Sequence, residues 1–279
     1  MISCPSVSKR VMRTHYNLCT LFYRLLWGPH IHHGLWEGDE NESARSAQLH
    51  LTERLADLAE IGPGQSMIDI GCGMGGSSIH LAKTRQVQAT GVTISPVQRL
   101  WANTTALTQG VRSRATFLSQ DVEQIDFPSE SVDVVWSVEC TEHLFDKPAF
   151  FQKAARWLKP GGRIAICAWL AGSDLADETK REQVWQVCEG FFCPSLATSA
   201  EYVGWMESAG LTMTSVLDWT QQVARTWEIC RDRVHKSGIR KLARVIDRDT
   251  VMFLDRFEVL LNAYRSGAME YGCFVARKP

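Results

Sequence analysis

A glycine-rich segment preceded by an acid is the clearest chemical motif of the chain, Asp69-Ile70-Gly71-Cys72-Gly73-Met74-Gly75-Gly76. It follows a short apolar run that predicts a strand, and it opens a predicted helix. Glycines permit the tight turn and leave main-chain amides open to a ligand. An acid ahead of them suits a cofactor whose amino-acid end carries an ammonium group and which has no pyrophosphate. We predict that Asp69, Gly71, Gly73 and Gly75 bind this end; a turn that merely shapes the sheet is the alternative.

The next strand end lacks the acid that Rossmann folds commonly use to bind ribose hydroxyls. No Asp or Glu stands between Gly71 and Gln120. Neutral hydrogen bonds would therefore hold the ribose, and we assign Thr93, Ile94 and Gln98 to that role. The missing acid argues against an NAD enzyme. Arg99 is a possible ligand for the 2′-phosphate of NADP, so an NADP-dependent oxidoreductase stays open as an alternative.

The third and fourth predicted strands add further cofactor contacts. Asp121-Val122-Glu123 ends the third strand, where an acid can accept a hydrogen bond from an adenine amino group. A solvated loop acid is the alternative interpretation of Asp121. We assign Val122, and Ser137 near the end of the fourth strand, to the same cofactor site.

An acid–base constellation follows the buried fourth strand, in the segment Glu139-Cys140-Thr141-Glu142-His143. Ligands of open α/β sheets bind beyond the carboxyl ends of the strands, so this loop is expected to face the reacting group. Imidazole titrates near working pH. We predict His143 as general base, with Glu139 as its partner or as a substrate anchor, and with Glu142 as the other acid able to orient it. The alternative is that the three side chains only brace the loop.

Three histidines stand within four residues in the segment 27–36, WGPHIHHGLW. A tight loop cannot readily aim adjacent imidazoles at one ion and no carboxylate motif completes the set, so we predict no metal site. Instead, His32, His33 and Tyr16 are expected to close over the cofactor and the substrate, with His33 and Tyr16 on the cofactor side. Packing of an N-terminal helix on the core is the alternative.

Ten tryptophans are many for 279 residues, and aromatic faces can line an apolar pocket. We place His32, Trp36, Trp219 and Trp227 in the substrate pocket. An amphipathic helix between residues 219 and 268 would allow transient contact with a membrane. The basic residues of that region more commonly form a solvated face. They are Arg231, Arg233, Lys236, Arg240, Lys241 and Arg244.

Strand and helix signals alternate from residue 67 onward, which predicts an α/β fold with a doubly wound parallel sheet. Strands are expected at 67–70, 87–93, 115–118, 132–138, 163–169, 211–217 and 271–276. Helices are expected at 42–60, 96–107 and 150–158, the last stopped by Lys159-Pro160-Gly161-Gly162. We divide the chain into a helical cap or gate (1–60), a Rossmann-like core (61–218), a helical cap insertion (219–268) and a final core strand (269–279).

Bulk composition narrows the class of partner. Lys plus Arg number 30 against 31 Asp plus Glu, so the basic excess typical of nucleic-acid binding is absent and no nucleic acid is expected. The nine cysteines include no Cys-x-x-Cys pair, which favours reduced thiols. No apolar run reaches the ~18 residues of a membrane span. We expect a cytoplasmic protein; the sequence does not give its oligomeric state.

The chain resembles the γ-tocopherol C-methyltransferase family, whose neighbours include sterol methyltransferases and plant alkaloid N-methyltransferases. The segments that carry the resemblance are 71–78 (GCGMGGSS), 91–98 (GVTISPVQ), 135–147 (VWSVECTEHLFDK) and 160–162 (PGG). It implies a seven-stranded sheet with the last strand antiparallel, and S-adenosylmethionine as cofactor with S-adenosylhomocysteine as product. It also implies a lipophilic small-molecule acceptor methylated on carbon, nitrogen or oxygen. Segment 223–266 departs from the tocopherol enzymes, so the acceptor itself does not carry over. A non-catalytic S-adenosylmethionine-binding protein is a further alternative.

Overall fold

A twisted sheet of seven strands forms the centre of the computed structural model, which describes residues 1–38, 42–174, 176–237 and 256–279. Its strands are β2 (Ser66–Ile70), β3 (Gln88–Thr93), β4 (Ala115–Ser119), β5 (Val132–Val138), β6 (Leu158–Ala171), β8 (Thr212–Asp218) and β9 (Met269–Arg277). Their order is β4-β3-β2-β5-β6-β9-β8. β9 runs antiparallel to both neighbours, while the pairs from β4 to β6 are parallel. The predicted fold class is confirmed.

Ten helices of the described ranges surround this sheet. They are α1 (Lys9–Leu26), α2 (Ala44–Leu58), α3 (Gly76–Thr84), α4 (Pro96–Thr108), α5 (Lys147–Trp157), α6 (Glu178–Gly190), α7 (Ser199–Ser208), α8 (Thr220–Val223), α9 (Arg225–Ser237) and α10 (Phe257–Ser266). A single 3₁₀ turn covers Thr141–His143. None of these helices combines the length and the apolar character that crossing a bilayer requires.

Local sequence signals set the turns at the carboxyl ends of β2 and β3. Gly75 adopts φ 81° as the N-cap of α3, a left-handed conformation that suits glycine. Ser95 caps α4 by accepting the amide of Gln98, and Pro96 occupies the first turn, where its missing N–H costs nothing. Both loops therefore open toward the same sheet edge.

The central strand β5 separates two apolar layers. Val134 and Trp136 belong to the layer that also holds the N-terminal helices, whereas Val135 packs in the layer below α5 and α7. Burial on both faces explains the uninterrupted apolar run of this strand. Helix α2, which we predicted within the N-terminal cap, places Leu51 and Leu55 in the first of these layers beside Met67. The proposed division into domains stays a prediction.

A two-stranded sheet that we did not predict ties down the N-terminus. β1 (Ile2–Ser3) pairs antiparallel with β7 (Ser195–Leu196). Strands of two residues carry too little periodicity to be found from sequence. Their pairing anchors the start of α1, so that this helix lies over the edge of the large sheet where the glycine-rich loop opens.

Two further predictions need correction. Residues 159–162 continue strand β6 and do not form a simple stop, because Gly161 and Gly162 exchange main-chain hydrogen bonds with Lys278. Helix α5 begins at Lys147, three residues before the predicted Phe150, because the Asp146 side chain caps it through the Ala149 amide. In the basic region, Arg240, Lys241 and Arg244 lie outside the described residues.

Candidate active site

A cavity of about 770 Å³ lies at the carboxyl ends of β2 to β5. This first cavity is open to solvent, and its volume includes part of that open space. The predicted cofactor residues that line it are Tyr16, Gly71, Gly73, Thr93, Ile94, Gln98, Asp121 and Val122. Its other walls, which sequence reasoning missed, include Lys9, Met12, Ile31, Gln120, Glu123, Val138, Cys140 and Leu144.

The glycine loop forms one wall of the first cavity with its bare main chain. Gly71 has φ 72° and Gly73 has φ 53°, both in the left-handed region. A Cβ added to Gly71 would lie 2.3 Å from the Cys140 sulfur, so no side chain fits there. The loop can therefore bring its amides against a ligand, as the motif predicts.

Replacing Gly71 with alanine is expected to weaken S-adenosylhomocysteine binding at least about tenfold. The clash with Cys140 would displace the loop, and a loss of only about 1.4 kcal/mol of binding free energy has that effect. Gly64 provides a matched control, since it has φ 79° but nothing within 4 Å of its added Cβ among the described atoms. Gly64→Ala should reduce the free energy of unfolding by about 1–2 kcal/mol, the cost of a left-handed conformation for alanine. Its affinity for the ligand should not change. Calorimetric titration of both variants checks this; equal affinities would show that the Cys140 contact does not shape the site.

The acid ahead of the glycines does not reach the first cavity. Asp69 is buried, and its carboxylate accepts the Ser78 hydroxyl at 2.5 Å at the start of α3. Burial raises the pKa of Asp69 to about 7, although bonds from the Ser78 side chain and amide oppose that shift. Asp69 does not line the first cavity, because the start of α3 takes its carboxylate, and its contact with the cofactor stays a prediction.

Gly75 and Ser137 also lie outside the walls of the first cavity. A Cβ on Gly75 would meet the Phe117 ring at 2.7 Å, so this glycine is needed for packing between α3 and β4. The Ser137 hydroxyl donates to the Ile70 carbonyl at 3.2 Å and joins β5 to β2. Gly75 and Ser137 therefore stabilise the glycine loop without lining the first cavity.

Neutral and acidic groups line the far side of the first cavity. Thr93 Oγ1 donates to Gln98 Oε1 at 2.8 Å, which fixes the amide at the predicted ribose position. Asp121 accepts from Lys9 Nζ at 2.6 Å, and the same ammonium lies 2.7 Å from Glu123. Lys9 closes this end from helix α1, a contact across 112 residues that no local motif signals.

A second cavity, of about 440 Å³, adjoins the first. Its walls are mostly aromatic and comprise Tyr16, Tyr23, Trp27, Ile31, Glu139, Glu142, His143, Trp169, Phe191 and Trp227. Tyr16, Ile31, Glu139 and His143 line both cavities and so form a shared wall. A methyl donor in the first cavity would meet an acceptor in the second at this wall.

Only Trp227 among the predicted substrate residues lines the second cavity. His32 is buried behind it, where Nδ1 donates to the His33 carbonyl at 2.7 Å and Nε2 faces His30 at 3.2 Å. Trp36 donates from its indole to the Glu42 carbonyl at 3.1 Å, and Trp219 is buried at the start of α8. The structure therefore places these three side chains outside both cavities, packed among the N-terminal segment and the core, and their contact with substrate stays a prediction.

His143 lies between the two cavities with both ring nitrogens engaged. Because a carbonyl only accepts, Nδ1–H donates to the Phe192 carbonyl at 3.1 Å. Nε2 is then the acceptor for the Tyr16 hydroxyl at 2.9 Å. Burial lowers the pKa of His143 to about 4, so the ring is neutral at neutral pH and Nε2 is free to accept a proton.

Glu139 makes its hydrogen bonds to residues other than His143, so of its two predicted roles the substrate anchor is the one that stays open. Its Oε1 accepts the His33 amide at 2.7 Å, His33 Nδ1 at 2.9 Å and the Tyr271 hydroxyl at 2.8 Å. Burial alone would raise its pKa, but the contacts with His33 outweigh burial and lower the pKa to about 2. The residue has φ 54°, a strained conformation held by these contacts.

His33 consequently does not line either cavity. It is buried, and the Trp227 indole donates to its Nε2 at 2.5 Å while Glu139 takes its Nδ1. The contact of His33 with the cofactor stays a prediction. Its role is to connect the shared wall to the aromatic side of the second cavity.

The fold and the site define a Rossmann-like, S-adenosylmethionine-dependent methyltransferase. The bare loop, the Thr93–Gln98 pair and Asp121 fit the amino-acid, ribose and adenine parts of that cofactor. The chain belongs to the mycolic acid cyclopropane synthetase family, whose model matches residues 5–270. S-adenosylhomocysteine is the product of the cofactor, and the oxidoreductase alternative is not supported.

Known proteins agree with this assignment. The chain is similar to the 27-O-demethylrifamycin SV methyltransferase of Amycolatopsis mediterranei (strain S699), with 33% identity across 91% of this chain and 92% of that protein. It is also similar to a probable chloroplastic tocopherol O-methyltransferase of Oryza sativa subsp. japonica, with 30% identity across 91% and 74%. The fold matches the cyclopropane synthase MmaA2 of Mycobacterium tuberculosis at TM-score 0.87 and 18% identity, over 98% and 99% of the chains. It matches the [4+2]-cyclase SpnF at TM-score 0.86 and 21% identity, over 100% and 98%.

Proposed function

We propose that this methyltransferase acts on a small, largely apolar acceptor that binds in the second cavity. The observation that carries the proposal is the aromatic lining of that cavity together with the wall it shares with the cofactor cavity. Aromatic and aliphatic surfaces bind apolar ligands and also favour the sulfonium of the donor. Tyr16 and His143 stand where donor and acceptor would meet.

S-adenosylmethionine supplies a methyl group from its sulfonium, which an acceptor atom takes by in-line displacement. The residues of the chain orient the acceptor and exclude water. His143 is the base: its neutral Nε2 takes a proton either directly or through the Tyr16 hydroxyl, which hydrogen-bonds to it. The Phe192 carbonyl fixes the tautomer that leaves Nε2 free to accept. Glu139, with its charge held by His33, anchors the loop at the shared wall.

The named relatives support an apolar acceptor without choosing the atom that is methylated. Printed activities include O-methylation in the tocopherol and rifamycin enzymes, and N-methylation in norajmaline N-methyltransferase of Rauvolfia serpentina, which is 27% identical across 72% of this chain. An amine acceptor is the second candidate, favoured by the Glu139 carboxylate within an aromatic wall. Methylation at carbon is the first candidate from the sequence resemblance. A cytoplasmic location and transient membrane contact stay predictions.

The test combines binding and turnover. Calorimetry should show micromolar binding of S-adenosylmethionine and S-adenosylhomocysteine and none of NADPH. A coupled assay for S-adenosylhomocysteine is then run with 2-methyl-6-phytyl-1,4-hydroquinone, a tocopherol and norajmaline as acceptors. Turnover of an apolar acceptor is expected. Tight cofactor binding without turnover of a broad panel of apolar acceptors would instead identify a non-catalytic cofactor-binding protein.

A further inference from the structure

Two residues that line the second cavity each carry a buried polar atom with no hydrogen-bond partner among the described residues. These atoms are Glu142 Oε2 and the indole Nε1 of Trp169. The exposed fraction of Glu142 is 1% and that of Trp169 is 7%. Buried polar groups in native proteins are almost always paired, so an unpaired acceptor and an unpaired donor in one cavity indicate a ligand.

The two residues are held next to each other by the fold. Glu142 lies on the 3₁₀ turn that follows β5, and Trp169 lies on β6, the strand that pairs with β5. The indole ring of Trp169 makes T-shaped contacts with three rings, and these hold it in place. The distances between ring centroids are 5.2 Å to Phe191, 5.5 Å to Trp227 and 5.6 Å to His33. The donor and the acceptor are therefore preorganised, which favours a specific polar partner over a variable one.

The other unpaired buried atoms of the described chain do not form such a pair. They belong to Gln48, Trp136 and Arg163, none of which lines either cavity. Trp136 is informative because it is also a buried tryptophan with a free indole N–H. Glu142 and Trp169 differ from these residues because they lie on one cavity wall. This shared position indicates that the methyl acceptor supplies their missing partner.

We propose that Glu142 and Trp169 recognise a hydroxyl group on the methyl acceptor: the hydroxyl donates to Glu142 Oε2 and accepts from Trp169 Nε1–H. A hydroxyl supplies one donor and one acceptor, whereas an ether or a ketone can only accept. This pairing requires the Glu142 carboxylate, and burial raises the pKa of that group to about 8, so the preference for a hydroxyl over an ether should grow as the pH rises above 8. This inference rests on the proposed apolar acceptor and narrows it to a hydroxylated ring or chain, such as a phenol. Glu142 then positions substrate instead of orienting His143.

Binding of three small aromatic probes tests the pair without knowledge of the natural acceptor. The probes are 1-naphthol, 1-methoxynaphthalene and naphthalene, measured by equilibrium dialysis against the protein saturated with S-adenosylhomocysteine. Sites built to pair a ligand hydroxyl reject analogues that lack it. The wild type should bind naphthol about tenfold or more tightly than naphthalene, with the methoxy compound between them.

Two variants remove the polar atoms one at a time. Glu142→Leu and Trp169→Phe should each reduce the preference for naphthol over naphthalene, and the double variant should bring it close to one. Trp136→Phe is the matched control and should keep the wild-type preference. Affinity for S-adenosylhomocysteine and thermal unfolding verify that each variant is folded. Should Glu142→Leu fail to fold, Trp169→Phe decides alone.

The outcomes separate this inference from the proposed function. If the wild type binds naphthol and naphthalene equally well, the hydroxyl site is overturned while the apolar acceptor stands. The same holds if the preference persists unchanged in the Glu142 and Trp169 variants. If the protein binds S-adenosylhomocysteine but none of the three probes, the apolar acceptor fails and the hydroxyl site fails with it.

Discussion

Replacing His143 with alanine is expected to lower kcat by about a hundredfold to ten-thousandfold, the usual contribution of general acid–base catalysis. The dissociation constant of S-adenosylhomocysteine should change little, because the other walls of the first cavity stay in place. The loss is expected in kcat because the proposed mechanism gives His143 the proton transfer and gives cofactor binding to its neighbours. Steady-state kinetics together with calorimetry of the variant measure the two effects separately.

The pH profile of the wild type shows whether His143 acts as a general base or only stabilises the loop. The base form of His143 is the neutral ring, so kcat/KM falls as the pH drops through its pKa. Burial lowers that pKa to about 4, so activity should persist at pH 5 and decline near pH 4. An ordinary histidine would give an acid limb near 6.5. A limb near 6.5 in the wild type would contradict the buried, neutral ring seen here.

Two controls accompany this prediction. His50→Ala removes a half-buried histidine of α2 that pairs with Glu37 and Glu42, and it should leave kcat unchanged. Tyr16→Phe removes the hydroxyl that bonds to His143 Nε2. If the hydroxyl relays the proton, this variant loses kcat and keeps the acid limb. If His143→Ala retains full kcat, the residue only braces the loop and the base lies elsewhere.

The elements that bind the cofactor could be predicted because their signals are local. The glycine loop, the Ser95-Pro96 cap and the apolar run of β5 each span fewer than ten residues, and they fix the strand ends that line the first cavity. Right-handed crossover connections then bring those ends to one edge. Thr93, Gln98 and Asp121 therefore lie where the sequence placed them.

The partners of the catalytic loop could not be predicted because they are distant in sequence. Glu139 pairs with His33 across 106 residues and with Tyr271 across 132, and neither contact has a local pattern. The sequence offered His143 as the neighbour of Glu139, only four positions away. The positive φ of Glu139 turns its side chain toward the N-terminal segment, so nearness along the chain was misleading.

Replacing Glu139 with leucine is expected to reduce the free energy of unfolding by about 3 kcal/mol or more, because each buried donor left without an acceptor costs roughly 1–3 kcal/mol. The leucine would leave the His33 amide, the His33 ring and the Tyr271 hydroxyl without their acceptor. Glu139→Gln keeps one acceptor oxygen and should lose less. Urea unfolding at pH 7 measures all three proteins.

Glu130 is a close control because it shares the backbone conformation of Glu139. Both residues have φ 54°, so a leucine at either position carries the same left-handed strain. The Glu130 side chain is 56% exposed and its contact with Lys278 is 3.5 Å, so its loss should cost no more than about 1 kcal/mol. The difference between the two leucine variants therefore reports the buried contacts of Glu139 and not the backbone.

The effect of Glu139→Leu should also depend on pH in a defined direction. The pKa of Glu139 is about 2 in the folded protein, below the ordinary value of 4.5, so its carboxylate stabilises the fold fully above pH 4.5. That stabilisation is lost as the pH falls from 4.5 toward 2, because the unfolded chain binds the proton first. The gap between wild type and variant should therefore narrow over this range. A gap that is constant from pH 6 to pH 3, or absent at pH 7, would mean that packing and not charge holds the shared wall of the two cavities together.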